Sequence, residues 1–360
     1  MGTAAVRDLR HARRRRFASG LCAFYLLAVG TLWAVQATVA EVAWPVTLLL
    51  YVPQAAYLLP ALLLLPLCAW ARSGRGAIAC IGACAIVAWP MMGFRWGSPG
   101  PPGEGVLRVM TYNLHGGVGG VARLTETIRA QNPHVLCLQE AVGPEGREGP
   151  AVLLPRDLAG YRFVRRGSVM IGSRVPMGNA RAWKLDPPGV ARDALAVDVN
   201  LGGRRATVVS VHFVTALGGG SIAQNAAGIA RYARGMAEVR VRQADSLLER
   251  LNKPGPPVVV CGDFNTPPRG KAYERLSGLM RDAFAERGRG WGLTYRRDLP
   301  LWRIDYVWCG RGAEPVSAWA VRAPGSDHLP VVAEVSIPKP AARSSGDGGG
   351  ARGVSQLARR

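Results

Sequence analysis

The chain has 360 residues, 49% of them apolar, and a slightly positive mean hydropathy, which together exclude a polypeptide disordered throughout. Its formal net charge is +21, almost all of it from arginine, since Lys184, Lys253, Lys271 and Lys339 are the only lysines. Nine Arg against three acids give residues 1–105 a charge of +6 and leave +15 to residues 106–360. The first hundred residues already exclude an ordinary soluble cytosolic protein.

Residues 1–16 are a basic segment with arginines from Arg7 to Arg16. Three uncharged runs follow, 17–40, 42–71 and 76–94, of 24, 30 and 19 residues. A helix needs about 20 apolar residues to cross the hydrocarbon core, so an anchor of three transmembrane helices is predicted over 17–96. Pro53, Pro60 and Pro66 interrupt the second run and predict a kink there. Arg72 and Arg75 separate runs two and three, whereas only Glu41 separates runs one and two. Positive segments stay inside, so the expectation is a multi-pass cell-membrane protein with a cytoplasmic amino terminus and everything after run three outside. A second reading takes run one as a cleaved signal peptide, on its small residues Ala37 and Ala40. Its apolar region is long for that, and either reading leaves the rest of the chain outside.

Residues 97–105 (GSPGPPGEG) read as a Pro/Gly linker, and residues 339–360 as a disordered tail. Cys22, Cys68, Cys80 and Cys84 fall in the spans, while Cys137, Cys261 and Cys309 fall in apolar runs where cysteine behaves as a small buried hydrophobe. Cys80 and Cys84 lack partner ligands for zinc, and a Cys261–Cys309 bridge remains open.

Between 106 and 338 the apolar runs predict strands at 107–113, 135–140, 161–164, 169–173, 194–200, 206–212, 258–262, 304–309, 317–321 and 331–335. Several are continuous, as expected for strands covered on both faces. Helical patterns fit 121–131, 229–252 and 271–278. Two packed sheets with helices outside suit that count.

Polar residues gather where the strands end: Asn113 in RVMTYN, Glu140 in VLCLQE, His212 in VVSVH, Asp263 and Asn265 in VVVCGDFN, Asp305 in IDYVW, and Asp327 with His328 in SDHLPVV. One carboxylate at a strand end is usually a turn former, and a lone histidine a solvated surface group. Eight such residues at or near strand ends point instead to one functional rim.

The segments TYN (111–113), QE (139–140), SR-x-P (173–176), VHF (211–213), GDFN (262–265), RIDY (303–306) and SDHLPV (326–331) occur in an order that resembles the endonuclease/exonuclease/phosphatase superfamily, which includes DNase I-like and exonuclease III-like nucleases and sphingomyelinases. The resemblance implies a four-layer α/β/β/α sandwich over 106–338 and metal-dependent hydrolysis of phosphoesters. On it, Glu140, Asn113 and Asp327 would serve the metal, Mg²⁺ with Mn²⁺ as substitute, because Mg²⁺ prefers hard oxygens and keeps several waters. Asp263 is the candidate to orient and deprotonate water, with Asn265 holding phosphate or water in line. His328 would bind or protonate the phosphoryl group, Asp305 would fix its tautomer, and His212 matches the position proposed to protonate the leaving group. Arg192 is a weaker candidate for phosphate contact, and His115 receives no role. A pseudoenzyme would be expected to have lost Glu140, Asp263 or His328. All three are present.

The motifs do not name the substrate. A nuclease would use the +15 domain charge for phosphate attraction. A phospholipid or sphingomyelin phosphodiesterase would gain from being tethered beside its substrate. The small-residue loop 215–227 could gate either, and a noncatalytic membrane-tethered binding protein is the alternative of another class. No obligate protein partner is inferred.

Overall fold

The computed structural model describes residues 3–101, 105–186, 194–215 and 226–339. Its amino-terminal part consists of α1 (Thr3–Thr38), α2 (Trp44–Tyr51), α3 (Ala61–Ala71) and α4 (Gly74–Ile86), with a 3₁₀ turn before α3 and a π turn after α4. Three stretches, Arg7–Thr38, Gln54–Ala71 and Gly74–Met91, are long and apolar enough to cross a membrane. The run 42–71 is not one helix. Val52 precedes Pro53 and is extended (φ −61, ψ 134), because the proline ring pushes its predecessor out of the helical region. Helix α2 is thereby cut away from the apolar stretch that begins at Gln54. Small residues, among them Ala18, Cys22, Cys80 and Ala83, let α1, α3 and α4 pack closely, while Phe24, Leu27, Leu62, Leu63 and Ile78 stay exposed on the outside.

The remainder is built from β1 (Arg95–Trp96), β2 (Val106–Asn113), α5 (Val121–Gln131), β3 (Val135–Gln139), α6 (Pro150–Asp157), β4 (Arg162–Arg166), β5 (Val169–Ser173), β6 (Arg181–Trp183), β7 (Ala194–Leu201), β8 (Arg204–His212) and α7 (Ala226–Leu251). The chain then forms β9 (Val258–Asp263), α8 (Lys271–Ser277), β10 (Arg281–Asp282), α9 (Ala283–Arg287), β11 (Arg289–Gly290), β12 (Asp305–Cys309), β13 (Glu314–Ala320) and β14 (Val331–Ser336). All ten predicted strands are present. The four additional ones, β1, β6, β10 and β11, are only two or three residues long, too short to leave an apolar run.

Two six-stranded sheets form, in the orders β13-β14-β2-β3-β5-β4 and β10-β12-β9-β8-β7-β6. Alternate residues of the central strands explain the layering. Val109, Val135, Cys137, Val208, Val259, Cys261 and Val307 meet between the sheets. Met110, Tyr112, Leu136 and Leu138 turn outward onto α5 and α6, and Val209, Val211, Val258 and Trp308 onto α7 and α8. The result is the expected α/β/β/α sandwich, and the two-sided burial accounts for the continuous apolar runs.

Cys137, Cys261 and Cys309 are buried free thiols. Cys261 faces Val307 across the β9–β12 ladder, and Cys309 faces Val259. Of the stretch expected as a linker, residues 97–101 lie against the domain, with the Gly97 N–H bonded to the Gly288 carbonyl (2.9 Å) and the Gly100 N–H to the Val316 carbonyl (2.7 Å), and 102–104 lie outside the described residues. Residues 340–360 of the expected tail lie outside the described residues.

Candidate active site

One parallel strand pair in each sheet delivers the polar residues. In β2 and β3, Asn113 stands opposite Gln139, and in β8 and β9, His212 stands opposite Asp263. Strand β12 starts at the same rim, with Asp305 opposite Asp263. Gly262 permits this. A Cβ there would lie 2.1 Å from the Val211 carbonyl oxygen, so only glycine lets β9 close on β8 immediately before Asp263.

Just beyond the strands, His115, Glu140 and Asn265 hold left-handed backbone at φ 46, 50 and 49. Such conformations cost roughly 1–3 kcal/mol each and persist where neighbours hold them. Here the Asn113 Oδ1 accepts the His115 N–H (3.1 Å), the Asp263 Oδ1 accepts the Asn265 N–H (2.9 Å), and the Glu140 carbonyl accepts the Gly116 N–H (2.9 Å).

Asp263 is the hub. Asn113 Nδ2 donates to its Oδ2 at 3.0 Å and to Glu140 Oε1 at 3.1 Å. His212 Nε2 lies 3.6 Å from Asp263 Oδ2 and 3.7 Å from Glu140 Oε1. His328 Nε2 lies 3.8 Å from Asp263 Oδ2, and its Nδ1 is 2.9 Å from Asp305 Oδ2. Ser326 pins the loop that carries His328, donating to the Asn113 carbonyl (2.7 Å) and accepting the His328 N–H (3.1 Å). Asp327 Oδ1 is 3.3 Å from His115 Nδ1. The Asn265 amide donates to the Phe213 carbonyl at 3.1 Å.

All eight strand-end residues therefore gather at one place. A cavity of about 280 Å³ is lined there by Glu140, Asp263, Asn265, Asp327 and His328. Arg192 lies outside the described residues, as does 216–225 of the loop 215–227, although Thr215 lines the cavity. His115, given no role from sequence, faces Asp327. Tyr51, Tyr295 and Trp302 also line the cavity, and nothing in their local sequence marks them. Ser326 was within reach of sequence reasoning, since it sits inside SDHLPV.

Burial pushes the Asp263 carboxyl up to about 7, and the Asp305 charge adds to this against the opposing pull of His328. For His328, burial alone would lower the pKa. The charge and hydrogen bond of Asp305, helped by Asp263 and Asp327, outweigh it and raise the imidazole to about 10. At neutral pH His328 is thus an imidazolium and Asp263 is near its midpoint.

The residues fit a divalent cation. Glu140 and Asp327 keep 35% and 38% of their side chains exposed at the cavity and offer hard oxygens. Deeper in, Asp263, Asp305 and His328 bring one ligand-type atom each within 4.8 Å of one another, but the His328 imidazolium donates to Asp305 and offers no lone pair, which leaves the carboxylates as the oxygen donors there. Asp305 Oδ1 is buried without a hydrogen-bond partner among the described residues.

The Endonuclease/Exonuclease/phosphatase family matches residues 110–328, more than half of the chain. No protein of curated function matches the chain. Among solved structures, a humanized TDP2 from D. rerio with 14 mutations is 15% identical, with a TM-score of 0.53 over 65% of this chain and 100% of its own. An endonuclease/exonuclease/phosphatase from Bacteroides vulgatus is 16% identical, with a TM-score of 0.50 over 65% and 99%. One from Beutenbergia cavernae is 22% identical, with a TM-score of 0.49 over 66% and 73%. With the sandwich and the rim of acids, amides and histidines already in place, the match assigns this chain to the endonuclease/exonuclease/phosphatase family of phosphoester hydrolases.

Proposed function

We propose that the chain is a membrane-tethered, divalent-metal-dependent phosphoester hydrolase whose domain over 106–338 stands outside the cytoplasm. The observation that carries this reading is the Asp263 hub, a buried carboxylate held from both oxygens and set within 3.8 Å of two histidines. Asp263 orients the attacking water and takes its proton, since a general base works best with a pKa near the working pH. His328, held as an imidazolium by Asp305, binds the phosphoryl oxygens that gather charge. His212 Nε2 stands between Asp263 and Glu140, where it can hand a proton to the leaving oxygen. Asn113 spaces the two carboxylates, and Asn265 lines the cavity beside Asp263, where it would hold phosphate or water in line. A Mg²⁺ or Mn²⁺ ion held by Glu140 and Asp327, with Asn113 beside them, would neutralise charge on the phosphoryl group.

The membrane assignment draws on the three apolar helices and on the arginines, Arg7 to Arg16 and Arg72 with Arg75. Three crossings would also bring the 39–53 connection and the end of the third helix to one side of the membrane, and both touch the hydrolase domain.

The test is release of p-nitrophenol from bis-p-nitrophenyl phosphate by the full chain in detergent with Mg²⁺. Asp263→Asn should lower the rate by about 10²–10⁴-fold. An unaltered rate overturns the mechanism. For the topology, a reporter fused after Pro338 should be active only outside the cytoplasm.

A further inference from the structure

The connection between α1 and α2 does more than join two helices. Glu41 is buried, and its carboxylate accepts from the Tyr51 hydroxyl (2.6 Å), from Arg240 Nη2 (3.1 Å) and from the Lys271 N–H (2.8 Å). Arg240, fully buried on α7, also donates to the Tyr51 hydroxyl and lies 5.6 Å from the centre of its ring. Trp302 Nε1 donates to the Tyr51 carbonyl at 3.0 Å. Tyr51 is therefore fixed through its hydroxyl, its ring and its backbone, by partners about 190 and 250 residues further along the chain. A second seam lies at the end of the third apolar helix, where Trp291 Nε1 donates to the Ala88 carbonyl (3.1 Å) and Arg269 Nη1 to the Pro90 carbonyl (3.0 Å).

So fixed, Tyr51 becomes part of the wall of the cavity that holds Glu140, Asp263, Asn265 and His328. Gln54, where the second apolar helix begins, is three residues on, which places this wall within about 10 Å of chain from a bilayer surface. Tyr295 and Trp302 add two more aromatic rings to the cavity. Both belong to the segment 291–302, which starts at the Trp291 seam and exposes Leu299 at 66% beside Arg296 and Arg297. Apolar and aromatic groups next to arginines suit the interfacial zone of a membrane. Among the described residues, three arginines of the clearest basic pairs are placed where they do not join this segment. Arg165 and Arg166 lie on the edge strand β4, and Arg204 is buried against the Ile337 carbonyl.

We propose that the substrate pocket is a composite of the membrane anchor and the hydrolase domain, that Tyr51 is its specificity-determining residue, and that it takes a phosphoester carried by a bilayer lipid. This rests on the hydrolase reading above. Lipid-borne substrate arrives at high local concentration beside a pocket with this tether. The Tyr51 ring packs against its alcohol portion, while the Asp263 rim handles the phosphoryl group.

The experiment reconstitutes the full chain with Mg²⁺ in phosphatidylcholine vesicles containing phosphatidylglycerol and phosphatidylinositol phosphate. Release of headgroup or phosphate is compared with cleavage of a single-stranded oligonucleotide and of bis-p-nitrophenyl phosphate. The vesicle lipid should be turned over at least about tenfold faster than the oligonucleotide. Tyr51→Ala should raise KM for the lipid about tenfold and alter kcat less, in line with loss of one apolar pocket contact. Tyr51→Phe retains the ring and should restore KM even where the alanine variant folds poorly. Hydrolysis of bis-p-nitrophenyl phosphate without lipid turnover, faster cleavage of the oligonucleotide, or a KM indifferent to Tyr51→Phe and Tyr51→Ala overturns the composite pocket and leaves the hydrolase reading standing. Absence of all three activities overturns the hydrolase reading itself.

Discussion

The cavity wall brings together two clusters of charged groups, one around Tyr51 and one around Asp263, and they are built on opposite principles. In the cluster of Glu41, Arg240 and Tyr51, one acid meets one base, and a phenol and a backbone N–H take up further lone pairs of the acid. In the rim cluster, Asp263, Asp305, Glu140 and Asp327 outnumber His212 and His328, so protons are held where they would ordinarily leave. The balanced cluster joins parts of the chain. The unbalanced one, on the proposed reading, moves protons. Burial alone does not mark a catalytic group; an uncompensated charge within that burial does.

The largest effect expected is on the rim. Asp263→Asn should lower the rate by about 10²–10⁴-fold and yet change thermal stability little, because losing a charge that burial disfavours offsets the loss of one of the two acceptor oxygens that serve Asn113 and Asn265. A large fall in Tm would mean that Asp263 is structural, and the contrast between the clusters would fail. Next comes Glu41→Gln, which strands Arg240 in the interior and should cost about 3–5 kcal/mol in denaturant unfolding of the detergent-solubilised chain. Adding Arg240→Met to that variant should recover most of the loss, since removing both charges leaves none unpaired. Strict additivity of the two losses would break the balanced-pair description.

The pH profile sharpens the same contrast. Activity should rise as Asp263 ionises through about pH 7 and fall as His328 loses its proton near pH 10. In Asp305→Asn the alkaline limb should move toward lower pH, because the largest influence holding up the imidazole is gone; an unmoved limb would remove Asp305 from the role of its partner. Stability should follow in a definite direction. His328 has a folded pKa above its unfolded one, so its contribution is fully present below about 6.5 and is lost as pH rises toward 10. Asp263 is also raised, so its ionisation opposes folding as pH climbs from about 4 to about 7. The smallest effect is the control. Arg156→Gln breaks an exposed pair with Glu148 and should change stability by at most about 1 kcal/mol.

The sandwich was legible because burial on both faces makes runs such as VVVC continuous, and the rim was legible because polar residues interrupt those runs at their ends. Helix α6 left no such trace. It is eight residues long and carries Pro150 and Pro155, which read as breakers. The contacts behind the proposed composite pocket were illegible for another reason. Glu41 reads as a lone acid between two apolar runs and Arg240 as one more charge on a helix, and neither announces a partner 199 residues away. Likewise Tyr51 is one aromatic in an apolar stretch until Pro53 cuts that stretch and turns α2 toward α7.

The three core thiols bear on where such a domain can mature. Cys261 and Cys309 are raised by burial, so little thiolate exists to meet an oxidant, and their ladder positions keep them from facing each other. A sandwich held by packing alone needs no disulfide-forming catalyst to reach its native state. Its unfolding midpoint should therefore be the same with and without dithiothreitol, and would shift only if Cys261 became joined to Cys137, its thiol neighbour in the core.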